Sequence, residues 1–196
     1  VIAFAGAGKT TTLKGLASAK PERGVYLAFN KANADEAKRR LALTRCTASS
    51  FHGLAYGVTR EYMGAPAQQS ARSVRESGVL RRFHLPRVEG WHEFRIASAV
   101  GRTIAAFSNS DDSEFGPHHG AEAVIAAVGD PDFIKNPIKR EAAAEAVRKL
   151  AAPLAEIAAA YWVHEMEAGN LSHDMYLKMI DLDPDLRNQA FGMFRT

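Results

Sequence analysis

The spacing of hydrophobic and polar positions changes character along the chain. Val1 to Ala5 is continuously apolar, and a second short apolar run, Val25-Tyr-Leu-Ala-Phe29, follows the break at Lys20-Pro-Glu-Arg-Gly24. Unbroken short runs of this kind suit strands buried in a parallel sheet. Thr44 to Ala48 is a third strand candidate. Between these runs the spacing is helical, from Thr10 to about Ala19 and from Lys31 to about Leu43, with Asn30 a natural N-cap for the second. In that helix Asp35 and Glu36 precede Lys38-Arg39-Arg40, a charge order that suits the helix dipole. A further helix runs through Phe51 to Tyr56, capped by Ser49 or Ser50. Strands and helices alternating through short links predict an α/β fold with a parallel sheet.

From about Tyr62 strand-like runs disappear. Helical segments dominate, separated by expected loops at Gly64-Ala-Pro66, Leu85-Pro86, Asn109 to Gly120 and Gly129-Asp-Pro131. Asn136-Pro137 is a helix start, with asparagine as cap and proline at the first helical position. Val147, Leu150, Leu154, Ile157 and Tyr161 then recur at spacings that give one apolar stripe, interrupted by Pro153, which predicts a kink. Gly169-Asn170 ends this helix, Ser172 caps a short one from Asp174 to about Ile180, and Leu186 to Thr196 reads as helix or loop.

Composition narrows the class. With 196 residues, 46% hydrophobic and 24% charged, the chain has the make-up of a soluble globular protein of one or two domains. No apolar run is long enough to cross a bilayer, no signal peptide is visible, and no membrane partner is expected. One cysteine, Cys46, excludes an internal disulfide; it reads as a small strand residue and fits a reducing cytoplasm, the expected compartment. The chain begins at Val1, inside the first expected strand, so we expect a fragment cut at its N-terminus and open to truncation at the other end. The net charge of +3 hides an asymmetry: residues 1–60 carry ten Lys/Arg against three Asp/Glu, and the remainder fifteen against nineteen. A basic first segment suits a nucleic-acid partner, and a solvated basic face is the competing explanation.

The first segment also holds the most specific local signal. The apolar run Val1–Ala5 passes into Gly6-Ala7-Gly8-Lys9-Thr10 and then a helix, the order a phosphate-binding loop requires. Glycines let successive N–H groups turn toward phosphate oxygens, and the helix N-terminus adds a favourable dipole. Ala5, Gly6, Ala7, Gly8, Lys9, Thr10 and Thr11 would hold ATP, with Lys9 charging the β- and γ-phosphates and the Thr10 hydroxyl ligating Mg²⁺. The strict pattern G-x-x-x-x-G-K-[ST] is not met, because its first position falls on Ala3. A glycine turn before an ordinary basic helix is the alternative.

Three pieces stand in order: Ala5-Gly-Ala-Gly-Lys-Thr10, Tyr26-Leu-Ala-Phe-Asn-Lys-Ala32 with Glu36-Ala-Lys-Arg-Arg40, and Ser49-Ser-Phe-His-Gly-Leu-Ala55. Together they resemble motifs I, Ia and Ib of the UvrD-like superfamily 1 DNA helicases. Phe29-Asn-Lys-Ala32 and Leu171-Ser-His-Asp-Met-Tyr-Leu-Lys178 look most like the F-box DNA helicase branch. The resemblance implies a P-loop NTPase (RecA-like) parallel-sheet core, present in part, with a helical insertion of the 1B kind. Residues 1–60 would be the ATP-binding core, 61–170 the insertion, and 171–196 the return to the core, truncated before the Walker B strand. It implies ATP and Mg²⁺ as cofactors and single-stranded DNA as partner, touched by Phe29, Asn30, Lys31, Ser50 and His52. The whole protein would be an ATP-dependent 3′→5′ helicase in repair or recombination, nucleoid-associated if bacterial.

At the ends of parallel strands, loops face a common crevice, so Phe29, Asn30 and Lys31 would offer a ring, an amide and a cation there. Phe29 as a core residue is the plainer alternative. His118-His119 reads as a surface loop, Trp162 as packing, and Trp91 is left open. Arg72, Arg75, Arg81 and Arg82 either track a DNA backbone or lie on a solvated face. No apolar strand ending in Asp-Glu follows the loop; Asp181, Asp183 and Asp185 sit in a Leu-Asp-Pro-Asp context. With no acidic strand to hold Mg²⁺ and position water, the 196 residues by themselves are expected to bind nucleotide weakly and hydrolyse none. Two other functions fit parts of this pattern: a P-loop kinase of a small molecule, and a non-motor nucleic-acid-binding protein with a vestigial P-loop.

Overall fold

Asn30 sets the first βα junction. Its side chain accepts from the Asn33 amide at 2.8 Å, which caps a helix directly after a strand. In the computed structural model, which describes residues 8–20, 22–63 and 74–192, helix α1 (Lys9–Ala19) precedes strand β1 (Gly24–Ala28), helix α2 (Lys31–Leu41), strand β2 (Cys46–Ser50) and helix α3 (Phe51–Met63). β1 and β2 pair in parallel, with Gly24 opposite Cys46 and Ala28 opposite Ser50. Ala37, Leu41 and Ala48 are buried where α2 covers the strands, with Tyr26, Cys46 and Ala17 packed around them.

The chain continues as α4 (Glu76–Arg82), α5 (Glu93–Ser108), α6 (Pro117–Val128), a 3-10 turn (Pro131–Phe133), α7 (Pro137–Glu167), α8 (His173–Leu182) and α9 (Pro184–Gly192). The expected RecA-like parallel-sheet core with its 1B-like insertion is therefore corrected. About 70% of the structure is helical, and the described residues hold a sheet of two strands. The reason lies in the spacing of apolar residues. After β2 they recur at helical intervals, so these segments bury themselves helix against helix. The stretch after α7 adds two helices and, among the described residues, no strand. The expected strand Val1–Ala5 lies outside the described residues, as do Ala5, Gly6 and Ala7 of the glycine loop and Arg72.

Contacts divide the chain into two units, 1–64 with 179–196, and 65–178. In the second unit α5, α6 and α7 pack together, and Ile96, Val100, Ile104 and Phe107 of α5, Val124 of α6 and Leu150, Leu154, Ala158 and Trp162 of α7 are all buried. Gly120 permits the close approach of α6 to α7: a Cβ there would lie 2.0 Å from the Ala151 carbonyl oxygen. α7 runs from Pro137 through Pro153 to Glu167 without a break in its assignment, and its expected stripe is buried at Leu150, Leu154 and Tyr161. No described helix is long and apolar enough to cross a membrane.

Candidate nucleotide and nucleic-acid site

α1 begins abruptly. Gly8 takes φ 73°, a left-handed conformation that favours glycine, and its carbonyl accepts from the Thr12 amide at 3.0 Å. Among the described residues no side chain caps this helix end, which leaves its first-turn N–H groups without a serine or aspartate oxygen there. A Cβ at Gly8 would meet nothing within 4 Å among the described residues. Lys9 and Thr11 are exposed and Thr10 is half-buried. Among the described residues this is a helix start without a side-chain cap, led by an exposed lysine.

The second part of the site is set by strand register. Leu27 pairs with Ser49 and Ala28 with Ser50, so the two parallel strands end level with each other. Phe29 leaves the end of β1 with 88% of its surface exposed. Its neighbours Asn30 and Lys31 are exposed too. Asn30 uses its side-chain oxygen to cap α2, and among the described residues no carboxylate pairs with Lys31. At the end of β2, the Ser50 hydroxyl accepts from the Gly53 amide at 3.1 Å and caps α3. His52 is half-buried on the first turn of α3.

Phe51, 49% exposed, stands between Ser50 and His52 and was not singled out from the sequence. The signal was there, an aromatic residue immediately after a strand. Phe29 and Phe51 follow strand positions that are paired neighbours, which places two exposed rings at one end of the sheet. Rings beside a free lysine can stack bases and meet phosphates with little sequence preference.

Other sequence candidates settle into structural roles. Arg82 pairs with Glu165 at 3.2 Å, tying α4 to α7, with Glu165 nearly buried. Arg75 and Arg81 are exposed. Trp91 is buried beneath the Arg95 guanidinium, 4.2 Å from its ring. Trp162 packs edge-on to Phe107 and Phe115. Asp183 caps α9, accepting from the Asp185 and Leu186 amides at 2.8 and 3.2 Å. These two bonds, with the Tyr62 phenol, hold its carboxyl below the usual range.

Asp112, His118 and His119 bring three ligand-type atoms within 4.8 Å. His118 Nε2 lies 2.7 Å from Asp112 Oδ2, and His119 Nε2 lies 3.1 Å from the same oxygen. His119 Nδ1 accepts from the Gly116 amide at 2.9 Å. A neutral ring with Nδ1 as acceptor carries its proton on Nε2, which then donates toward Ser110 or Asp112 and has no lone pair for a cation. His119 thus caps α6, and its Nε2 is not offered to a metal ion.

Sequence comparison finds a likeness to a DNA helicase. The relative is F-box DNA helicase protein 1 of Schizosaccharomyces pombe (strain 972 / ATCC 24843), 30% identical over 131 residues, which cover 61% of this chain. The match covers 15% of that protein's length. No protein-family model matches the chain, and no solved structure matches it.

Proposed function

We propose that this chain is the part of an ATP-dependent DNA helicase that meets nucleotide and single-stranded DNA. The observation that carries the reading is Phe29, a ring 88% exposed at a strand end level with a second strand end bearing Ser50 and Phe51. A phenylalanine left mostly in water gains little from burial, but stacks well on an unpaired base. The likeness to the fission-yeast helicase supports the same reading.

Each residue then has a role. Phe29 and Phe51 stack on successive bases. Lys31 meets a phosphate, and Asn30, its oxygen committed to α2, donates from its amide nitrogen. Ser50 and His52 offer polar contacts at the second strand end. Lys9 sets a positive charge against the β- and γ-phosphates of ATP, Thr10 supplies a hydroxyl to Mg²⁺, and the first-turn N–H groups of α1 after Gly8 complete the cradle. Magnesium-bound ATP, when held there, supplies the phosphoanhydride whose cleavage drives movement. In the whole protein the strand-end residues would grip DNA in step with nucleotide turnover, giving 3′→5′ translocation in repair or recombination.

Anisotropy of a labelled oligo(dT) strand titrated with the chain tests this. Binding should weaken steeply with salt and exceed binding to the corresponding dA·dT duplex. Equal affinity for the duplex, or no binding at low salt, overturns the reading.

A further inference from the structure

The turn between α6 and α7, in the second unit, holds two large apolar side chains in water: Phe133 is 83% exposed and Ile138 80%. This is not a loose segment. Asp132 N donates to Asp130 Oδ1 at 3.0 Å and Phe133 N to the Asp130 carbonyl at 3.1 Å. Lys139 N donates to Asn136 Oδ1 at 3.1 Å and Arg140 N to the Asn136 carbonyl at 2.9 Å. Between the two exposed side chains, Ile134 is half-buried over Gly129. The backbone is thus held with one hydrophobic residue inward and its neighbour outward.

Three cations accompany the pair. Lys135, Lys139 and Arg140 are exposed, and among the described residues no carboxylate pairs with any of them. Of the acids nearby, Asp130 is committed to the turn and Glu141 to Arg148 at 2.8 Å. Asp132 is the exposed carboxylate left on this stretch.

We propose that this turn is a docking surface for an acidic segment of a partner protein that carries apolar side chains. Rigid, exposed apolar residues lose little conformational freedom on binding and serve as anchors. Exposed cations on the same stretch, with no carboxylate partner among the described residues, steer an acidic segment and reject a basic one. A nucleic acid would use the cations and Phe133, but would leave Ile138 in water. An acidic, apolar segment uses all five. The inference is independent of the helicase reading.

The probe is a short labelled peptide alternating Glu with Leu, followed by anisotropy, with its Gln-for-Glu counterpart and oligo(dT) as comparisons. The peptide should bind the native chain. Phe133→Ser with Ile138→Ser, and separately Lys135→Gln with Lys139→Gln, should each weaken it about tenfold, as should Gln for Glu in the peptide. Oligo(dT) binding should be unchanged in the Ser variant, and circular dichroism should match, since both side chains already face solvent. Absence of peptide binding, or peptide binding indifferent to the Ser variant, overturns the proposal. Loss of oligo(dT) binding in that variant overturns it too and makes the turn a nucleic-acid contact.

Discussion

Replacing Phe29 by alanine separates a structural role from a binding role, because the two give effects of different size in different assays. The ring is 88% exposed, so folding removes about an eighth of its surface from water, roughly 25 Å² for a phenylalanine. At about 25 cal/mol per Å² this burial stabilises the fold by about 0.6 kcal/mol. A base stacked on the same ring contributes about 1–3 kcal/mol, which is about 5- to 150-fold in affinity. Phe29→Ala should therefore leave the urea midpoint almost unmoved and raise the oligo(dT) Kd by at least about fivefold. Denaturation by circular dichroism and anisotropy titration on the same preparations read both quantities. Unchanged oligo(dT) affinity at unchanged stability would refute the stacking argument. A large fall in stability would refute the placement of the ring in solvent.

Three further outcomes follow from the geometry. Lys31→Ala should make the slope of log K against log salt shallower by about 0.7 for a single strand, one phosphate contact, and an unchanged slope removes Lys31 from the interface. Gly120→Ala would set a Cβ 2.0 Å from the Ala151 oxygen, so α6 and α7 must separate and stability should fall by about 1–3 kcal/mol in urea denaturation; a neutral effect contradicts the close crossing. The Asp183 carboxylate accepts from the Tyr62 phenol and, with its charge, raises that phenol above the ordinary 10.0. A raised folded value means the contribution is complete below the ordinary tyrosine range and is lost as pH rises through the raised one. Asp183→Asn should make the phenolate absorbance of Tyr62 appear at lower pH than in the native chain, and superimposable titrations contradict the contact.

What could be read in the sequence, and what could not, divides along physical lines. Asn30 was legible as a cap because an asparagine oxygen three residues before a free amide has few better uses, and that bond is present. The second strand was expected at Thr44–Ala48 but runs from Cys46 to Ser50. Thr44 is the reason: its amide and hydroxyl both donate to the Leu41 carbonyl at 2.8 Å, and its oxygen receives the Cys46 amide at 3.2 Å. These bonds close a turn before the strand can start. Asn109 to Gly120 was expected to be loop, yet α6 begins at Pro117. Proline and glycine read as breakers, while His119 reaching back to the Gly116 amide gives the helix an N-terminus that no serine or aspartate signals.

The α/β fold was inferred from local alternation over the first fifty or so residues and then extended by resemblance, whereas the helical spacing of the remainder governs most of the structure. In the candidate site, residue types at strand ends were legible. Exposure was not, since it depends on where pairing stops: with Ala28 opposite Ser50 the ladder ends there, and Phe29 is left in water.

The nucleotide contact proposed for this chain runs through Gly8, Lys9 and Thr10. Calorimetric titration of magnesium-bound ATP into the chain, beside Lys9→Ala, tests it most directly. The account predicts binding by the native chain and a Kd at least about tenfold higher in the variant, the loss expected for a charge-assisted contact to phosphate. Circular dichroism should show the variant folded, so that a change in Kd reads binding. Equal binding by both proteins, or none by either, contradicts the account.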